Sequence, residues 1–216
     1  MLTNIIITLA LLLLSFFGLQ RLFTLPKNVW LLFLVQPLVM AASPVIVFIG
    51  GILATSMGAD PALVTLPVTV MILGVASTAI PAALLAQKKG RRFATFTGFM
   101  LGFSGTMLAM FAALNGSFEL LVLASLLFGS CTAFIQQLRF AAIESISDSK
   151  DVPTVLSILM LSGIFSAFLG PEIAVTAKDW LSSPYGYAGS FLFLAGLFLV
   201  AMLLMESVFI RAMKRT

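Results

Sequence analysis

Histidine is absent from the chain, and cysteine occurs once, as Cys131 inside an apolar run. A disulfide within the chain and most zinc or haem ligand sets are thereby excluded, and a Ser-His or zinc-dependent reaction has neither base nor ligand. Charge is equally scarce, at 9% of residues, against about 25% in an ordinary soluble domain. No Gly-rich phosphate loop leads into a Lys-Ser or Lys-Thr pair. The aspartates Asp60, Asp148, Asp151 and Asp179 all fall between apolar runs, so intramembrane aspartyl chemistry lacks its paired acids. The chain is therefore not expected to be an enzyme, and no cofactor or metal is expected.

What fills the sequence is apolar: 61% of the 216 residues are hydrophobic and the mean hydropathy is +1.15. A helix crosses a hydrocarbon core of about 30 Å with roughly 20 apolar residues. Runs of that kind occupy Leu2–Leu19, Val29–Met57, Pro61–Ala86, Phe93–Leu114, Phe118–Ile143, Val152–Ala177 and Tyr187–Ile210. Breaks rich in Gly, Pro, Asn, Ser and charge separate them. Nothing alternates with the period of two that barrel strands of about 10 residues require. The expected fold is an all-α membrane protein with these seven transmembrane helices, and its first partner is the lipid bilayer.

Basic residues divide sharply between the two ends of these spans. Arg21, Lys27, Lys88, Lys89, Arg91, Arg92, Arg139, Lys150, Arg211, Lys214 and Arg215 fall at one end, eleven in all, and Lys178 alone at the other. Lys and Arg in short loops accumulate in the cytoplasm, so the N-terminus is expected outside and the C-terminus cytoplasmic. The same clustering accounts for the net charge of +4 without a nucleic-acid partner. The first run could instead be a signal peptide, but no positive residue precedes it, whereas Arg21 and Lys27 follow. It reads as an uncleaved anchor over residues 1–25, leaving 28–216 as a six-helix unit.

The segment from Pro81 to Phe93 places Leu85, Lys88, Gly90, Arg91 and Arg92 in the order of a G-x-L-a-D-r-x-G-r-r pattern. It resembles the loop between helices two and three of major facilitator superfamily transporters. Gln87 stands at the acidic position and Ala83 at the first glycine. In the family the acid helps latch the cytoplasmic ends of two halves, so that latch is not expected here. Gly163 to Glu172, with Gly170 and Pro171, resembles the Gly-Pro helix of some facilitator antiporters; glycine permits close helix approach and proline a bend. Ser125, four residues before Gly129, replaces an arginine that many facilitators carry, so no coupling role is carried over.

The resemblance runs from about Asn28 to Ile210, most like the N-terminal half of uncharacterised bacterial members. It implies the bacterial inner membrane, and a solute held near the midplane between two six-helix halves. One half is represented, so the resemblance implies a second copy or another membrane chain to complete a pathway. The competing class is a non-transporting structural or assembly subunit.

Candidate cavity residues are Gln36 and Ser43 in the first helix of the half, Gln136 and Gln137 in the fourth, Arg139 near the end of that helix, and Glu172. Helices one and four line the cavity in the family, so Gln36 and Gln136 are placed to hydrogen-bond a solute; the bland alternative is an interhelical bond. Glu172 is the candidate for a proton- or solute-linked carboxylate, against simple solvation at the outer interface. Arg139 either binds solute or snorkels to the interface, and its five-residue spacing from Glu144 is wrong for an i,i+4 pair. Pro37 and Pro44 are expected to bend their helix. Met107 and Met110 lie three apart, but no histidine or cysteine pair accompanies them for copper.

Overall fold

The structure is a computed structural model that describes residues 2–144, 146 and 148–213, with side chains described from 3 to 206 within those ranges. The side chain of Arg211, and all of Lys214 and Arg215, lie outside the described residues. Among the described residues there are nine α-helices and no strand. In chain order they are α1 (Leu2–Leu22), α2 (Lys27–Met40), α3 (Ala42–Ser56), α4 (Leu66–Lys89), α5 (Arg91–Asn115), α6 (Phe118–Gln136), α7 (Leu138–Ile143), α8 (Val152–Thr176) and α9 (Ala188–Met213). Two end-to-end pairs, α2–α3 and α6–α7, act as single spans, so seven helical segments are long and apolar enough to cross a membrane. The protein is an all-α membrane protein.

Local chemistry sets the breaks. Pro26 lies extended before α2. Asp60 accepts a hydrogen bond from the Ala62 amide at 2.8 Å and opens the short 3-10 turn Pro61–Leu63. A single residue, Gly90, separates α4 from α5 with φ +86°, a backbone region that favours glycine. Gly116 caps α5 in the left-handed conformation and returns its N–H to the Ala112 carbonyl, after which the Ser117 hydroxyl caps α6. The second span divides at Ala41, between Pro37 and Pro44, where the missing amide of proline interrupts the ladder. This break lies between the two prolines, where the bend is expected. Pro171, by contrast, lies inside a helix that continues through Thr176.

Packing follows the small residues. In a bilayer helices gain little from hiding apolar surface from one another, so close van der Waals approach decides which faces meet. A Cβ on Gly74 would lie 2.6 Å from the Leu126 carbonyl oxygen, and one on Gly129 would collide with the Met71 carbonyl, so α4 and α6 touch backbone to backbone. Along α5, Gly98 receives Phe134, Gly102 receives Cys131 and Phe198, and Gly105 receives Phe128. This stripe seats α5 between α6 and α9. On the other side of the bundle, Gly170 of α8 fits against Pro44 and the Ala41 carbonyl. α1 lies against α8 and α2, with the Phe16 ring meeting Trp30 edge-on at 5.9 Å.

Candidate functional site

The candidate residues fall in three places along the bundle. The central one is the seam where α2 and α3 meet α8 and α6. Gln36 is 1% exposed, and its Nε2 donates to the Leu159 carbonyl of α8 at 3.1 Å. Its Oε1 is buried with no hydrogen-bond partner among the described residues. Gly163 lies beside this amide: a Cβ there would stand in ordinary contact with Nε2, at 3.5 Å. About two helical turns further on, Ser43 and Thr132 are hydrogen-bonded at 2.8 Å between α3 and α6. Thr132 already donates to the Phe128 carbonyl at 2.9 Å, so Ser43 is the donor of the pair. Both residues are half-buried. A parallel bond joins Thr78 of α4 to Ser130 of α6 at 2.9 Å.

The second place is the end of the bundle that carries Lys88 to Arg92. Gln137 sits where α6 gives way to α7 and accepts a long contact from Arg91 Nη1 at 3.5 Å. Arg91 spends its stronger bonds on Glu144, with Nη2 to Oε1 at 2.6 Å and Nε to Oε2 at 3.1 Å. Arg139 is half-buried nearby and Glu144 is not its partner, in keeping with their five-residue spacing. The hydrogen bond from Arg91 chiefly, with its positive charge, holds the Glu144 carboxyl below the ordinary carboxylate range against a smaller opposing cost of burial. Gln136 is exposed, as are Gln87 and Lys88, while Leu85 packs with Ala82, Ala86, Ala94 and Phe134. Arg92 approaches Glu206 of α9 at 3.9 Å.

The third place is the opposite end. Glu172 is half-buried and accepts from Asn4 Nδ2 of α1 at 3.1 Å, beside a groove of about 320 Å³ between α1 and α8. Gln36, Ser43, Gly163, Gly170 and Pro171 are thus associated with one seam, whereas Gln136, Gln137 and Arg139 belong to one end and Glu172 to the other. Gln36 and Gln136 are not brought together. Ser125, in the place of the family's arginine, is buried and donates to Leu121 O at 2.8 Å within its own helix.

Four of these residues were not singled out in the sequence: Thr132, Thr78, Ser130 and Asn4. Thr132 stands one turn before Gln136 and faces Ser43, a signal visible only once α3 and α6 are known to be neighbours.

The sequence profile of the Major Facilitator Superfamily matches residues 29–215. The chain is 31% identical over 176 residues to the riboflavin transporter RfnT of Brucella anthropi, covering 82% of this chain and 44% of that protein. It is 32% identical over 165 residues to the uncharacterized MFS-type transporter YdeG of Bacillus subtilis, covering 73% of this chain and 38% of that protein. A second uncharacterized MFS-type transporter of Bacillus subtilis, YddS, is 26% identical over 170 residues, covering 75% of this chain and 39% of that protein. The chain therefore spans less than half the length of these curated relatives.

Proposed function

The chain belongs to the major facilitator superfamily, and from that premise we propose that its bundle forms one half of an alternating-access pathway for a small solute. A second six-helix bundle, from another copy of the chain or a different membrane chain, completes the pathway. The observation that carries this reading is the half-buried Ser43–Thr132 hydrogen bond, polar and at mid-span, between the helices that correspond to the first and fourth of a facilitator half. Gln36 adds an unspent acceptor to the same seam.

Riboflavin is the first solute to assay, because the Brucella relative is a riboflavin transporter. The test pairs the native mass of the solubilised chain with uptake of labelled riboflavin and related small solutes into vesicles. A homodimer, or a pair with another six-helix chain, that takes up solute is the expected result, with Ser43→Ala plus Thr132→Val slowing uptake at unchanged mass. A lone chain that transports nothing, or one subunit of a large unrelated assembly, overturns the proposal in favour of a structural role.

The proposal includes the bacterial inner membrane, with the N-terminus outside and the Lys88–Arg92 turn and C-terminus in the cytoplasm; the eleven-to-one division of cations supports it. Cysteines introduced beside Asp60 or Asn115 label from outside and one beside Gly90 does not. The reverse pattern overturns the orientation.

A further inference from the structure

Where the first turns of α5 meet α9, the bundle leaves a cavity of about 360 Å³. Its walls are apolar, with Phe96, Phe99 and Met202, and its rim is charged, with Lys89, Arg92 and Glu206. Phe99 is buried, but Phe96 is 55% exposed within a membrane span, so the cavity opens sideways toward the acyl chains and not only toward water. The rim lies at the ends of two spans, which is the depth of lipid headgroups.

Charge at this rim is on balance positive, with Lys89 and Arg92 against Glu206. Lys89 Nζ lies 4.8 Å from the centre of the Phe93 ring. Arg92 meets Glu206 at 3.9 Å, with both side chains about half exposed, so that pair is weak. Lys88 shares the same turn, as does Arg91, which is paired with Glu144. Charge at the rim and hydrocarbon-like walls together match an amphiphile that carries a phosphate. A soluble phosphate would use the rim and leave the walls wet.

We propose that this cavity binds an anionic phospholipid, with its phosphate between Lys89 and Arg92 and one acyl chain against Phe96 and Met202. The site is separate from the Ser43–Thr132 seam and does not depend on the transport reading.

The test is native mass spectrometry of the full chain in a neutral detergent, titrated with phosphatidylglycerol, phosphatidylcholine or glycerol 3-phosphate. Phosphatidylglycerol is retained, phosphatidylcholine is retained more weakly, and glycerol 3-phosphate is not retained. Lys89→Gln and Arg92→Gln each lower phosphatidylglycerol retention about five-fold, the factor that ~1 kcal/mol per basic residue at an anionic surface gives. Glu206→Gln raises retention, a gain that misfolding would not produce. Lys150→Gln, at the same end of the bundle but outside the cavity, leaves it unchanged. Equal retention of the two lipids, binding of glycerol 3-phosphate as strong as that of phosphatidylglycerol, or an equal fall with Lys150→Gln overturns the proposal.

Discussion

The α2–α3 span and the span ending in α4 run to 30 and 29 residues and are closely matched in hydropathy, yet 67% of the most apolar stretch of the first is buried against protein and 17% of that of the second. Apolar composition places both in the bilayer. It does not say which will face lipid and which protein, because a lipid tail and a leucine are nearly the same solvent. The division comes from what each helix offers for close contact. α2–α3 presents Gln36, Ser43 and a proline-bent backbone to α8 and α6, and it also packs on α9. α4 rests mainly on α6, through the backbone contact at Gly74 and Gly129.

The largest effect is expected where α4 has its main support. Gly129→Leu drives a side chain into the Met71 backbone and should cost about 3 kcal/mol, read as a fall in thermal stability in detergent. Gly196→Leu, with nothing within 4 Å of its Cβ position, is the matched control and should change little. If the two behave alike, the α4–α6 contact is not what holds α4. A smaller effect compares the two spans directly on the monomeric chain. Ile46→Ala in α3, where Ile46 is fully buried, should cost about 2 kcal/mol. Ile80→Ala in α4, where Ile80 is 71% exposed, should cost under about 0.5 kcal/mol. Equal costs would show that burial within the bundle does not separate the two spans.

The number of spans, their order and the turn at Gly90 were legible because hydropathy, proline and glycine act locally. The Lys88 to Arg92 pattern was legible for the same reason. Partners across the bundle were not. Arg91 and Glu144 are 53 residues apart and Asn4 and Glu172 are 168 apart, and no periodicity links such pairs. Gln36 allowed two readings, a solute contact or an interhelical bond; its amide makes the second, to Leu159 of α8, a partner that the sequence could not name. The Gly98, Gly102 and Gly105 stripe was open to reading, since one helix face with three glycines is a packing surface in a membrane. Its partners on α6 and α9 were not.

Gly170 carries a mechanical consequence. It lets α8 rest on Pro44 and on the carbonyl of Ala41, the residue at which the second span is interrupted. Pro44 cannot donate to the Met40 carbonyl, so α8 packs against the span where its own ladder lacks a rung. A larger side chain at 170 would have to push α8 and the second span apart at that missing rung, beside the seam of Gln36 and Ser43.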